Sequence, residues 1–390
     1  MRISIIGGGI LGASTAWHAA RAGAEVTVFD AERDGRATAA GAGIVCPWVS
    51  GLEDAPFLNL YIAGGEYYPA VTAMLAEDGE TDLGYRQSGA MMVAPDTAEL
   101  AATERFVRGR GAGHPAIGAI SRLSPEEARA LFPPLHPDLG GVLISGGARV
   151  DGRRMAAALL RAAARYGART VRADAQPWIE HGRVRGVSWG ADRAEADRVV
   201  MTAGAWMSLA AATAGVASHG EMTAGALASR VPVRPQRGQI VHLQLADAAT
   251  GDWPVILPPG SHYLVPFDGG RIVVGATREA DAGFDYRVTA AGQAEVLFEA
   301  LRIAPGLGTA TLLETRVGFR PVLPRPMLGW LPDVEGLAIG NGLGAAGLTI
   351  GPLGGKVLAD LVLGREPVLD LGLFAVDRAA AAAGEPAPLR

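Results

Sequence analysis

The sequence predicts an α/β fold in which βα units at the start, middle and end of the chain alternate with mixed antiparallel sheet. Three observations predict it. First, a β-rich run, Arg2–Ile6, leads through Gly7-Gly8-Gly9-Ile10-Leu11-Gly12 into a helical pattern lasting to Arg21, and a second strand, Glu25–Phe29, ends at Asp30. This βαβ unit is Rossmann-like. Second, strand-to-glycine passages recur far downstream, at Arg198–Gly204 and Leu337–Leu363. Third, Val231–Leu245 and Ser261–Ala276 alternate apolar and polar residues in the manner of antiparallel sheet.

The remaining elements follow in chain order. Gly23-Ala24 stops the first helix. Past Cys46 comes a helical segment, Phe57–Glu77, and then a strand at Gly89–Ala94. Ser124-Pro125-Glu126-Glu127 is a capping box with proline at the first helical position, so a helix runs from there to about Leu131. Asp151 caps the helix Arg153–Tyr166, which Gly167-Ala168 ends. Strands follow at Thr170–Ala173, Val184–Trp189 and Arg198–Thr202. Thr289–Ile303 reads as a helix with Pro305 beyond it, Thr311–Phe319 and Leu337–Gly340 as strands, and Gly347–Leu363 as a closing helix ended by Gly364. The tail, 379–390, reads as flexible.

Composition excludes several classes. With 390 residues, 49% of them apolar, the chain is long enough for two or three domains and a large core without metal or disulfide staples. Thirty-five basic and 40 acidic residues leave a net charge of −5 with no basic run, which argues against nucleic acid as a partner. The single cysteine, Cys46, excludes an internal disulfide and any multi-cysteine metal site, so no metal is expected. A reducing compartment fits, and the expected location is the cytoplasm, free or peripheral to the inner membrane. Three stretches lack acidic and basic residues: Ile3–Ala20, Val199–Ser218 and Gly336–Gly355, the last with eight glycines. Glycine at that density weakens a helix by up to about 1 kcal/mol per residue. All three read as buried βα units, and no transmembrane segment is expected.

The strongest chemical signal is Gly7-x-Gly9-x-x-Gly12 between strand and helix, with an acid at the end of the next strand. The first glycine permits the tight turn, the second lets backbone approach a pyrophosphate, and the third lets helix pack on strand. The helix N-terminus, with Ile10 and Leu11 in its first turn, stabilises phosphate charge. Asp30, followed by Ala31, is placed to accept hydrogen bonds from ribose hydroxyls. An acid there argues against a 2′-phosphate and leaves FAD or NAD.

Further motifs resemble one family. Arg36-Ala37-Thr38-Ala39-Ala40-Gly41-Ala42-Gly43-Ile44 is similar to a cofactor stretch of the flavoenzymes that include D-amino-acid oxidase, glycine oxidase and sarcosine oxidase. Thr202-Ala203-Gly204-Ala205-Trp206 resembles their second cofactor segment, and Gly318-Phe319-Arg320-Pro321 their Gly-x-Arg-Pro element. Gly342-Leu343-Gly344-Ala345-Ala346-Gly347-Leu348-Thr349 resembles their last flavin loop. The order and spacing match from residue 1 to about 370.

The resemblance implies a Rossmann-like FAD-binding domain of the glutathione-reductase type, formed by 1–50, 141–225 and 322–378. An interleaved α+β substrate domain on a mixed antiparallel sheet would take 51–140 and 226–321. Thr38 would contact the pyrophosphate, with Arg36 nearby, and the backbone of Gly43 and Ile44 would approach the flavin. The strand around Gln176 would face the adenine. Gly344, Ala346, Gly347, Leu348 and Thr349 would present N–H groups to the flavin's pyrimidine end, where negative charge accumulates on reduction. Arg320 would bind a substrate carboxylate through its planar two-pronged donor. Tyr263 stands where the family often has an active-site tyrosine, and Trp48 would line the pocket. His262 alternates to the other face of the strand and reads as structural.

The chain also departs from the family pattern. Leu323-Pro324-Arg325 replaces a frequent Thr-Pro-Asp, Leu343 a frequent histidine, and Ala345 the arginine of glycine oxidases. Cys46 lies far upstream of the cysteine that tethers flavin in monomeric sarcosine oxidases, so FAD is expected to be non-covalent. The one lysine, Lys356, lies in the closing helix, so the family's lysine device for fast oxygen reaction is unsupported. The expected activity is oxidation of the C–N bond of a small amino acid, a D-amino acid or an N-substituted glycine, with Arg320 and Tyr263 as the catalytic residues. The acceptor would be oxygen, a quinone or a protein, and the chain would form homo- or hetero-oligomers. A 2-hydroxy-acid dehydrogenase and a flavin-binding subunit of a hetero-oligomeric amine dehydrogenase are the alternatives.

Overall fold

The computed structural model describes residues 1–212, 215–216 and 224–383. Strand Arg2–Ile6 pairs in parallel with Glu25–Asp30 on one side and Arg198–Met201 on the other. Arg169–Arg172 and Leu337–Leu343 extend this parallel set at its two ends. Because successive side chains of a strand point to opposite faces, Ile3 and Ile5 join a core with the helices Ile10–Arg21, Gly152–Arg165 and Gly347–Val362. Ile6 points the other way, into a core with Phe29, Val187, Val199 and Met201. That second face is covered by a small antiparallel sheet of Gln176–Glu180, Arg183–Trp189 and Asp192–Glu195. The layering is the Rossmann-like α/β architecture that the sequence predicts.

The parallel strands continue into an antiparallel region within one sheet of thirteen strands. Strand Thr311–Trp330 makes the join. Its first half pairs with Arg234–Gln244, and its last residues, Met327–Trp330, pair with Leu337–Leu343. The sequence predicts an end at Phe319, and the structure carries the strand on through Pro321, Pro324 and Pro326. The register shifts between Val322 and Met327, where Pro324 and Pro326 fall, and at such an irregularity proline forfeits no ladder hydrogen bond; Pro321 stays in register opposite Pro235. Ser261–Ala276 resolves into a hairpin of Tyr263–Pro266 and Arg271–Gly275. Helices Ala290–Ile303 and Pro125–Leu131 contribute to the core on one face of this region.

Local chemistry sets most of the predicted helix starts. The Ser124 hydroxyl accepts from the Glu127 N–H at 3.2 Å, and the Glu127 carboxylate accepts from the Ser124 N–H at 2.7 Å. Asp151 accepts from the Arg153 N–H at 3.0 Å, and Asp54 starts the helix Ala55–Glu77 by accepting from the Phe57 N–H at 2.8 Å. Several elements were not foreseen, two of them prominent. Helix Thr97–Arg110 is capped by Asp96, and strand Gly140–Ile144 pairs with Ala90–Ala94 and Ile120–Leu123 in the antiparallel region. Part of the tail is helical rather than flexible: Val376–Ala383 forms a helix, while 384–390 lie outside the described residues.

The closing segment Gly344–Val362 is long and apolar enough to cross a membrane, yet 78% of it is buried inside the protein. Its glycines explain the arrangement. A Cβ at Gly355 would lie 2.4 Å from Ser14 Cβ, and one at Gly351 would lie 2.6 Å from Ile10 Cγ2. The missing side chains let the closing helix lie directly on the first, and the Ser14 hydroxyl donates to the Pro352 carbonyl at 2.7 Å.

Candidate active site

A cavity of about 1130 Å³ opens at the carboxyl ends of the parallel strands and extends along the antiparallel sheet. Ligand pockets for small molecules span roughly 300–1,000 Å³, so this one has room for a dinucleotide with a substrate beside it. Open α/β sheets bind ligands at this strand end.

Backbone dominates the dinucleotide half. Gly7 has φ +105° and a Cβ there would lie 2.5 Å from the Thr202 carbonyl oxygen, so the turn admits no side chain. Gly43 is tighter still: at φ +84°, its Cβ would lie 1.7 Å from the Val150 carbonyl oxygen. The Gly8 N–H donates to Asp30 Oδ2 at 2.8 Å, and the Glu32 N–H donates to Asp30 Oδ1 at 2.7 Å. Thr38 Oγ1 accepts from the Ile10 N–H at 3.0 Å, and Asn341 Nδ2 donates to the Gly204 carbonyl at 2.9 Å. The helices Ile10–Arg21 and Gly347–Val362 begin at the cavity after Gly9 and Ala346, which bring no capping side chain. Thr38 takes the first N–H group of the first helix, on Ile10, and the N–H groups left over at a helix start suit phosphate and other electron-rich atoms.

Most of the expected cofactor residues meet on this wall. Gly7, Gly9, Ile10, Leu11, Asp30, Ala31, Arg36, Thr38, Gly43 and Ile44 line it from the first unit. Ala203, Gly204 and Trp206 line it from the middle unit, and Gly344, Ala346, Gly347 and Leu348 from the last. Four expected residues do not reach it. Gly12 serves packing alone, since its Cβ would lie 1.9 Å from the Gly7 carbonyl oxygen. Gln176 begins a strand of the small sheet, and Ala173, Asp174 and Ala175 form the wall before it. The buried Thr349 hydroxyl turns away to donate to the Ile44 carbonyl at 3.0 Å. Trp48 is 2% exposed in a core with Cys46, Leu58 and Ile62, because the turn Pro47–Val49 faces it inward. Val49 and Ser50 line the cavity in its place.

Side chains dominate the substrate half. Gln236, Gly238 and Ile240 alternate along the strand Arg234–Gln244, and register places Arg320 opposite Gln236. The Arg320 guanidinium lies against the bare Gly238 backbone, whose Cβ would be 2.6 Å from Nη1. Arg320 Nη1 donates to Gln236 Oε1 at 3.3 Å and to the Thr277 carbonyl at 3.2 Å, both neutral acceptors. Tyr263 is half-buried opposite Gly275, where a Cβ would lie 3.1 Å from its hydroxyl. Burial pushes the Tyr263 pKa up, and the nearby Arg320 and Arg278 guanidiniums offset part of that rise. Arg278 and Gly238 were not foreseen. Arg278 sits just past a strand and carries no motif, and Gly238 has meaning only beside Arg320.

The departures noted in the sequence have local explanations. Arg325, at the position of the frequent aspartate, donates through Nε to Asp54 Oδ2 at 3.1 Å and so holds the loop before the helix Ala55–Glu77. Leu343 lines the cavity with its side chain buried. Lys356 pairs with Asp360 and is absent from the cavity wall. Burial pushes the Cys46 thiol up to about 12, so it stays protonated.

A glycine-walled cavity at this strand end marks a dinucleotide-binding protein. Comparison with known proteins identifies the family. The pattern of the DAO family, described as FAD dependent oxidoreductase, matches residues 2–361, and the chain belongs to that family. FAD is therefore its cofactor, and the glycine turns, the uncapped helix starts and the cavity size fit that group. Among its relatives is an uncharacterized oxidoreductase, YurR, of Bacillus subtilis, 45% identical over 95% of this chain and 97% of its own. The crystal structure of iminodiacetate oxidase from Chelativorans sp. BNC1 is similar with a TM-score of 0.88 and 45% identity, covering 96% of this chain and 98% of that one. Glycine oxidase from Geobacillus kaustophilus follows with a TM-score of 0.80 and 27% identity, covering 97% and 99%.

Proposed function

We propose that the protein oxidises the C–N bond of a small amino acid, a D-amino acid or an N-substituted glycine. The observation that carries this reading is Arg320, a guanidinium on the cavity wall whose hydrogen bonds go only to neutral acceptors. Its planar donor pair suits a carboxylate and stays charged at any working pH. The names of the relatives support an amine substrate, since one acts on iminodiacetate and others on glycine.

Arg320 holds the carboxylate and thereby orients the substrate carbon, which is catalysis by proximity. Tyr263, beside Arg320, adds a hydroxyl at the same end. The apolar wall of Ile240, Leu257 and Leu343 excludes water around the reacting carbon. The chemistry that FAD supplies when bound is acceptance of the carbon's hydride at N5. The substrate loses that hydride and one amine proton, the C=N bond forms, and water hydrolyses the imine to a keto acid and ammonia or an amine. The residues that would hold FAD are Gly7, Gly9, Thr38, Gly43, Gly204, Gly344 and Gly347, with Asp30 at the ribose. With the single cysteine, Cys46, far upstream of the position that tethers flavin in monomeric sarcosine oxidases, the cofactor would be held without a covalent bond, and the electrons pass on to oxygen, a quinone or a protein.

Anaerobic mixing of the purified protein with D-alanine, N-methylglycine, proline and lactate tests the reading. Bleaching of the flavin by an amine is expected, and acid precipitation should leave the yellow colour in the supernatant. Bleaching by lactate alone would overturn the assignment.

A further inference from the structure

The substrate end of the cavity carries a second guanidinium that the reaction as described does not use. Arg278 lies just past the strand Arg271–Gly275, and the chain there stays in register with Arg234–Gln244. The Thr277 N–H donates to the Gln239 carbonyl at 3.2 Å, and the Glu279 N–H donates to the Arg237 carbonyl at 2.9 Å. Arg278 therefore falls opposite Gly238. Its two neighbours turn to the other face, where Thr277 and Glu279 bond one another at 2.7 Å and Glu279 also bonds Gln239 and Arg237. Alternation leaves the Arg278 side chain on the cavity face, the face that carries Arg320 and Gly238.

Partner accounting sets these two apart from the other arginines of the cavity wall. Among the described residues, Arg33 pairs with Asp174 and Arg36 with Asp30, whereas neither Arg320 nor Arg278 has a carboxylate within ion-pair distance. The carboxylates on the cavity wall are engaged or exposed. Asp30 holds the Gly8 N–H, Asp174 pairs with Arg33, Asp54 pairs with Arg325, and Glu53 is exposed. Burial, and after it the charge of Arg320, lowers the Arg278 pKa, while Tyr263 offsets the shift. A guanidinium stays protonated even so. Two like charges thus face one end of one cavity without a protein anion between them. Such an arrangement is unfavourable until a ligand brings negative charge.

A substrate with a single carboxylate neutralises one of the two. We propose that Arg278 is a second carboxylate anchor, and that the substrate is an amino acid carrying two carboxylates, one held by Arg320 and the other by Arg278. This inference rests on the C–N oxidation reading. It makes the site selective by charge count, because a monocarboxylate leaves Arg278 facing the desolvated pocket unpaired. The oxidised carbon is the one whose carboxylate Arg320 holds, and the second carboxylate reaches Arg278 either through the nitrogen substituent or through the side chain. Iminodiacetate and D-aspartate are the simplest members of this class, differing in which side of the nitrogen carries the second carboxylate.

The test compares the FAD-loaded wild-type protein with Arg278→Gln and Arg278→Lys. Anaerobic flavin reduction is followed against the concentration of iminodiacetate, D-aspartate and N-methylglycine. For the wild type, one of the dicarboxylates should saturate at a concentration at least tenfold below N-methylglycine. Arg278→Gln should collapse that ratio at least tenfold, and Arg278→Lys should restore part of it. A bound-flavin spectrum in each variant reports that it is folded. A second readout needs no turnover: titration of the flavin absorbance with malonate against acetate should show malonate preferred by the wild type and the preference lost in Arg278→Gln. Equal ratios in wild type and folded Arg278→Gln, by both readouts, would overturn the proposal and leave C–N oxidation standing. Malonate discrimination without flavin reduction by any amine would sustain the two-carboxylate pocket and remove the oxidation reading.

Discussion

The two ends of the cavity are made of different materials. At the dinucleotide end the wall is backbone: bare glycine turns, uncapped helix starts, and side chains such as Asp30 and Thr38 whose bonds go back to main-chain N–H groups. At the substrate end the wall is side chain, with Arg320 and Tyr263 set on antiparallel strands, Arg278 just past one, and few protein partners among them. A large invariant cofactor is held by a surface that cannot change residue without breaking the fold. A small substrate is chosen by groups that can be exchanged without touching the backbone. Substitutions at the first end should therefore cost structure and cofactor together, and those at the second end substrate alone.

Gly43→Val should have the largest effect. Its side chain would meet the Val150 carbonyl oxygen, a backbone atom whose own N–H bonds the Gly43 carbonyl at 2.8 Å, at a φ that valine resists. A cost above about 4 kcal/mol is expected, seen as loss of soluble flavin-loaded protein. Normal yield with a normal flavin spectrum would show that this turn is not the constraint described. Asp30→Ala comes next. It removes the charged acceptor of two backbone N–H groups and the ribose contact, and bonds to charged groups are worth about 1.5–3 kcal/mol. An FAD dissociation constant about 30-fold higher is expected from titration of the apoprotein, and a change under threefold would move the ribose elsewhere.

His242→Leu has the smallest effect at neutral pH and belongs to neither end. Burial, then the charges of Arg316 and Arg271, lower the His242 pKa to about 3, and both ring nitrogens are buried without a hydrogen bond. The folded state therefore binds fewer protons than the unfolded chain between pH 6.5 and 3. Its contribution is fully present above about pH 6.5 and is lost as the pH falls through that window. In the leucine variant the slope of stability against pH should flatten by one proton, about 1.4 kcal/mol per pH unit. Denaturant melts at pH 7, 6 and 5 check it, and parallel slopes would mean that His242 is charged in the folded protein.

The same contrast explains what the sequence made legible. A backbone cradle needs glycine at fixed offsets, so Gly7, Gly9, Gly43, Gly204, Gly344 and Gly347 could be read from one chain. Arg320 was legible because it follows Gly318 in a motif. Arg278 was not, since its meaning depends on a register with Arg234–Gln244 that joins residues 40 positions apart. Trp48 failed for a related reason: position in the chain placed it near the flavin loop, but the Pro47–Val49 turn decides which way the ring faces. Strand Thr311–Trp330 was read short because its continuation past Phe319 carries Pro324 and Pro326, which only the register shift between Val322 and Met327 accommodates.

The central claim is that side-chain guanidiniums, Arg320 first among them, hold the substrate while backbone holds the cofactor, and reductive titration of Arg320→Ala tests it most directly. Flavin content and spectrum should match the wild type, while the amine concentration for half-maximal flavin reduction should rise at least a hundredfold, the about 3 kcal/mol scale of a charged pair. An unchanged half-saturation, or loss of flavin together with substrate, would contradict the account.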